Sequence, residues 1–195
     1  MNEGFQLSNP PFATKREADY RGSQIGLPHF SAPRHSNSSD EWYTPDFLIT
    51  ALGGFDLDPA TSLLRGRQLA PRFFTAQEDG LQQDWSGRVF LNPPFSRIHP
   101  WVERMRSHNN GIMLCFSRTD AAWFIDLVKF CRGVFLIQRR VQFWRPGENP
   151  KKQRCPLGVV LFPFGSHNVE ALRKSGLAGV LLEPVVACCD DRFVA

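Results

Sequence analysis

The stretch Val89-Phe90-Leu91-Asn92-Pro93-Pro94-Phe95-Ser96 constrains this chain more than any other. Three consecutive apolar side chains fit a strand buried on both faces, the kind found in parallel sheets. The two prolines end that strand, because neither has an N–H to give to a ladder. A polar amide and an aromatic ring are thereby delivered to the carboxyl end of a buried strand. In open α/β sheets, that end is where ligands bind.

The remaining chain carries the partners such a strand needs. Thr44 is placed to cap a helix with Pro45 at its first position, Phe47, Leu48, Ala51 and Leu52 on one face, and Gly53-Gly54 at its end. Phe55 to Asp58 reads as a short strand closed by a Pro59 turn. Residues 100–107 read as a helix with Trp101, Val102 and Met105 turned inward. Gly111 to Phe116 is a second buried strand, and a helix follows with Ala121, Phe124, Ile125, Val128 and Cys131 at helical spacing. Residues 134–137 form a third strand; 156–162, 168–174 and 180–182 add a strand, a helix and a last strand. Strand–helix–strand alternation predicts a doubly wound, mostly parallel, Rossmann-like α/β sheet with right-handed crossovers. Asp58, Asp84, Asn92 and Ser117 are then expected at strand ends along one edge.

The 195 residues suffice for one α/β domain with a sizeable core. Residues 1–40 are rich in Ser, Asn, Pro and Arg without periodicity, and are expected to form a loosely ordered arm before a single domain over 41–195. Five cysteines with no C-x-x-C pair point to reduced thiols in an intracellular, cytoplasmic protein and against a zinc site. No secretory signal or membrane-length apolar run is seen. The net charge of +4 permits a polyanionic partner. Most telling is the stretch from Lys129 to Arg154, with eight basic residues against the single acid Glu148, interleaved with Phe130, Phe135, Phe143 and Trp144. Such a segment, with its basic loop around 139–154, neutralises DNA phosphates or is a solvated surface; the residues alone leave both open.

An Asn-Pro-Pro-Phe edge suits chemistry at an amino group on an aromatic base. That amine is a poor nucleophile because its lone pair is delocalised, and too weak an acid to be activated by a base. A pair of acceptors, one for each N–H, draws the nitrogen toward tetrahedral geometry. The Asn92 side-chain oxygen and the Pro93 carbonyl, stiffened by Pro94, are candidates, with Phe95 stacking on the ring.

Asn92-Pro93-Pro94-Phe95 resembles motif IV of the S-adenosylmethionine-dependent amino-methyltransferases. Together with Glu41-Trp42-Tyr43-Thr44-Pro45, Phe55-Asp56-Leu57-Asp58-Pro59-Ala60, Asp79-Gly80-Leu81 and Asp84-Trp85, in that order, it resembles the phage DNA N-6-adenine-methyltransferase (Dam) family from about Trp42 to Gly165. The resemblance implies a sheet of the methyltransferase type, S-adenosyl-L-methionine as cofactor and double-stranded DNA as partner. It also implies an adenine flipped out of the duplex, since N6 of a paired adenine lies inside it. Methylation of RNA or of a protein glutamine amide, or DNA binding without catalysis, are the alternatives.

By the same resemblance, Thr44 and Pro45 lie beside the methionine end of the cofactor, although a plain helix cap is an equal reading of the Thr44 hydroxyl. Asp84 would accept a hydrogen bond from the cofactor adenine. Asp58, then Asp56, would meet its ammonium or ribose groups, since carboxylates near a strand end need partners. Small Ala60 lets the cofactor approach the backbone, although the turn lacks the glycines usual in this class. Arg139-Arg140-Val141-Gln142-Phe143 resembles the family's segment after the third strand. DNA contacts are expected from Arg118, Arg139, Arg140, Lys151 and Lys152. Phe143 is either a wall for the base or a core residue.

Overall fold

The computed structural model describes residues 42–62, 68–143 and 157–183, within a unit that begins at Ser39. The expected arm over 1–40 lies outside the described residues, as do Arg145, Lys151, Lys152 and Arg154 of the basic segment. The strands are β1 (Leu57–Asp58), β2 (Arg72–Phe73), β3 (Val89–Leu91), β4 (Gly111–Phe116), β5 (Val134–Ile137), β6 (Val159–Phe164) and β7 (Gly179–Leu182). The helices are α1 (Asp46–Leu52), α2 (Ile98–His108), α3 (Ala122–Phe130) and α4 (Ser166–Lys174).

Among the described residues the sheet has seven strands in the order β2-β1-β3-β4-β6-β5-β7. β2, β1, β3 and β4 run parallel. β6 is antiparallel to both β4 and β5, and β7 is antiparallel to β5. The sheet is therefore mixed, with its longest ladder antiparallel, and the expectation of a mostly parallel sheet is corrected. The reason lies in the connections. A parallel return needs a crossover of a dozen or more residues, usually a helix. Helix α3 fills that role between β4 and β5. The sequence from Gln138 to Gly158 has no helical periodicity and is broken by Pro146, Gly147 and Pro150. Strand β6 starts on the edge where β5 ends and runs back between β4 and β5.

Helices cover both faces. On one, α2 and α3 bring Ile98, Trp101, Val102, Met105, Phe124 and Leu127 onto Val89, Leu91, Met113, Cys115 and Phe162. On the other, α1 and α4 bring Leu48, Ile49, Leu52 and Leu172 onto Phe90, Ile112, Leu114, Phe135 and Leu161. The alternation of each strand's side chains between faces feeds both cores. Helix α1 is turned by one position from the expected phase: Ile49 is buried, whereas Phe47 is 57% exposed. Pro45, not Thr44, is its N-cap, and no side chain caps it. Pro100 lies in the first turn of α2, where its missing N–H costs nothing.

Arg88, just before β3, ties the layers together. Its Nε donates to Asn168 Oδ1 at 2.7 Å, and its Nη1 to the carbonyls of Leu52 at 2.8 Å and Gly54 at 2.6 Å. Its guanidinium lies 4.3 Å from the Phe55 ring centroid. Burial pulls the Arg88 pKa down, and the Asp56 carboxylate offsets part of that. Arg88→Met leaves the buried Asn168 amide oxygen and the carbonyls at the end of α1 unpaired. It is expected to destabilise the protein by about 3 kcal/mol, measured by urea unfolding with an unchanged m-value.

Candidate active site

Because β1, β3 and β4 are parallel, their carboxyl ends share one edge, and Asp58, Asn92 and Ser117 lie along it. β5 points the same way, since both it and β4 oppose β6, so Arg139 and Arg140 follow onto that edge. A cleft of about 830 Å³ opens there. Its walls come from the Trp42–Thr44 lead-in, the turn after β1, the loop 75–81, Asn92 and Pro94, and the start of α2 at Pro100 and Trp101.

Asn92 is held by its amide nitrogen. Nδ2 donates to the Trp42 carbonyl at 2.6 Å and to Thr44 Oγ1 at 3.2 Å. A carbonyl only accepts, so this contact fixes which end of the amide is nitrogen. Asn92 Oδ1 is buried and, among the described residues, has no hydrogen-bond partner. Nothing among the described residues donates to the Pro93 carbonyl, whereas the Pro94 carbonyl accepts from the Arg97 N–H at 3.2 Å. Thr44, 1% exposed, thus serves Asn92 and lines the cleft rather than capping α1. Pro45 begins α1 and is not on the cleft wall.

Asp58 is 4% exposed and faces the cleft, where its Oδ1 accepts from the Ala60 N–H at 3.2 Å. Ala60, Thr61 and Ser62 line the same side. The loop 75–81 is built by Thr75, whose N–H and hydroxyl both donate to the Glu78 carboxylate, at 2.9 and 3.0 Å. Asp79 takes a left-handed backbone, φ 51°, and faces the cleft with Gly80 and Leu81. Most of this wall escapes a residue-by-residue reading. Its one signal is Asp79-Gly80-Leu81, because a turn residue followed by Gly marks a tight approach of backbones.

Two expected cofactor ligands lie elsewhere. Asp56 precedes β1 and so sits at the opposite edge, where its carboxylate accepts from the Arg88 N–H at 2.6 Å. No strand ends at Asp84, which is exposed and off the cleft wall; its carbonyl accepts from Arg72 Nη2 at 3.4 Å. A carboxylate two residues upstream of a strand end points to the wrong edge once the strand is only two residues long.

The rings behind Asn92 form one group. Phe95 stacks on Phe116 with centroids 3.9 Å apart and planes 24° apart. Trp42 meets Phe116 edge-on at 6.3 Å and Phe143 at 5.9 Å. Phe143 is 1% exposed, so its ring has no free face for a base and it belongs to the core. Arg139 and Arg140 are exposed. Arg118 is held by Asp120 through two contacts, at 3.1 and 3.2 Å, which keep the Asp120 carboxyl below the usual carboxylate range.

Cys115 and Cys131 are free and buried. Burial pushes the Cys115 thiol well above its ordinary range and Cys131 up to about 11. Neither is a thiolate nucleophile at neutral pH. Among the described residues no His, Cys, Asp and Glu cluster is arranged to hold a metal ion, and no helix is long and apolar enough to cross a membrane.

No curated protein and no solved structure matches the chain. The sequence model of a protein family does match, over residues 32–172, which include β1 to β6 and every wall of the cleft. The Asn-Pro-Pro-Phe edge with its unpaired amide oxygen therefore sits inside the matched region, and the chain belongs to the DNA N-6-adenine-methyltransferase (Dam) family.

Proposed function

We propose that this protein transfers a methyl group from S-adenosyl-L-methionine to N6 of an adenine flipped out of double-stranded DNA. The observation that carries the reading is Asn92 Oδ1, a buried acceptor with no partner on an amide whose nitrogen is already engaged twice. A buried acceptor left empty costs about 1–3 kcal/mol, so its retention at a cleft argues for a ligand N–H.

The residues present fit the cofactor. A buried carboxylate, Asp58, suits its ammonium or ribose hydroxyls, and the small side chains of Ala60 and Ser62 leave room for its amino-acid end. A cleft of about 830 Å³ is of the size that takes such a ligand. When bound, S-adenosylmethionine supplies an electrophilic methyl group on a sulfonium. Asn92 Oδ1 and the Pro93 carbonyl accept the two N–H bonds of the adenine amine and shift its lone pair out of conjugation. Neither removes a proton before transfer; an amide oxygen is far too weak a base, and the proton leaves the amine once it has become cationic. Phe95 stacks on the base, and most of the rate gain is positioning.

Sequencing DNA from cells that express the protein, against an Asn92→Ala control, is expected to show N6-methyladenine only with the wild type. Methyl label appearing in RNA or protein but never in DNA would overturn the reading. Arg139 and Arg140, exposed on the same sheet edge as the cleft, would contact phosphates. Arg139→Ala is expected to weaken DNA binding and reduce the slope of log K against log salt by about 0.9, with cofactor affinity unchanged.

A further inference from the structure

We infer that Phe116 is a positioning residue for methyl transfer, joining the ring that stacks on the base to the amide that receives its amine. The inference rests on the reading of the site proposed above. Phe116 is the last residue of β4, so its ring projects at the carboxyl edge of the strand beside β3. It is only partly buried, and lies at the margin of the core that α1 and α4 cover. Among the described residues its aromatic contacts are with Phe95 and Trp42, on either side of Asn92 in the site.

One contact is with Phe95, stacked at 3.9 Å and 24°. That spacing leaves no room for a base between the rings. Phe116 therefore covers one face of Phe95, which also packs against both cores, and a base stacked on Phe95 would have to use what remains of the other face, in a plane that Phe116 helps to set. The second contact is with Trp42, edge-on at 6.3 Å and 87°. The Trp42 carbonyl is what orients Asn92, through the 2.6 Å bond from Nδ2. The ring of Phe116 thus supports both acceptor and platform, and a shift in it moves them relative to each other. A displacement of about 1 Å in a reacting geometry can cost on the order of a hundredfold in rate. Phe116 is itself absent from the wall of the cleft and has no ring contact with the turn after β1, so the Asp58–Ser62 side proposed to hold the cofactor keeps its place.

The test compares Phe116→Met and Phe116→Tyr with the wild type and with Asn92→Ala. Methionine keeps most of the volume without a flat ring, and tyrosine keeps the ring. Each is assayed for kcat, for cofactor affinity by titration, for melting temperature, and for the rise in 2-aminopurine emission when that analogue replaces the target adenine. Phe116→Met is expected to lower kcat by about tenfold to a hundredfold and to diminish the emission rise, with cofactor affinity unchanged. Phe116→Tyr is expected to restore both. Wild-type kcat and emission in Phe116→Met overturns the inference, as does a loss that tyrosine fails to restore or one that tracks a fall in cofactor affinity or folded fraction. Activity surviving in Asn92→Ala would instead sink the reading of the site, which separates the two failures.

Discussion

Asn92→Ala is expected to lower methyl transfer by at least about 10²–10³-fold, the range for removing one preorganised hydrogen-bonding group from a transition state. Cofactor affinity should stay within about threefold, since in the proposed reading the group removed would face the amine and not the donor. The change removes Oδ1, the unpaired acceptor, and also releases the Trp42 carbonyl and the Thr44 hydroxyl. Asn92→Asp is a sharper variant of the same experiment. It keeps an acceptor of equal size but sets a carboxylate oxygen against the Trp42 carbonyl, where Nδ2 now donates at 2.6 Å. Two facing acceptors repel, so the aspartate is expected to fall well short of wild-type kcat. Single-turnover kinetics with excess enzyme would measure both. Wild-type rates in either variant would contradict the role given to the amide orientation.

Gly80→Ala should be nearly as damaging, for a steric reason. A Cβ at Gly80 would lie 1.9 Å from the Pro59 carbonyl oxygen and 2.9 Å from its carbon. Both are backbone atoms of the turn after β1 and cannot swing aside as a side chain would. The loop cannot simply retreat either, because the Trp85 indole N–H donates to the Gly80 carbonyl at 2.8 Å and Trp85 stacks on Trp101. Overpacking of this kind costs about 3 kcal/mol, or about 6–12 °C in melting temperature for a chain of this size. Pro59 and Gly80 both line the cleft, so cofactor affinity should fall with stability. A scanning calorimetry trace and a cofactor titration that both match the wild type would remove the close approach from consideration.

Much of the edge was legible in the residues. Proline chemistry is local, so Pro93 and Pro94 end β3 after Leu91 wherever the chain goes, and Asn92 must follow a buried strand. Three central elements, β4, α2 and β5, follow from apolar spacing with shifts of one or two residues at most, whereas α3 buries Leu127 and leaves the expected Ile125 43% exposed. Three kinds of feature were not legible. The inner face of α1 depended on what it packs against, so Ile49 replaced Phe47. Asp56 and Asp84 carry the residue type a cofactor needs, but which sheet edge they reach depends on where β1 and β3 start. Phe143 is equally good as core or as base wall until Trp42 is packed against it.

The sequence by itself determined the class of chemistry: an amide and a ring at the end of a buried strand, in an order of motifs that belongs to one family. Only the tertiary structure decided how that amide faces. Its nitrogen is fixed by Trp42 and Thr44, residues 50 and 48 positions earlier in the chain. The structure also decided that β6 runs back between β4 and β5. The difference is one of range. A missing N–H or a proline ring acts on its own neighbours, and is written in the local sequence. An acceptor acquires its direction from whichever distant donor or carbonyl the fold brings against it.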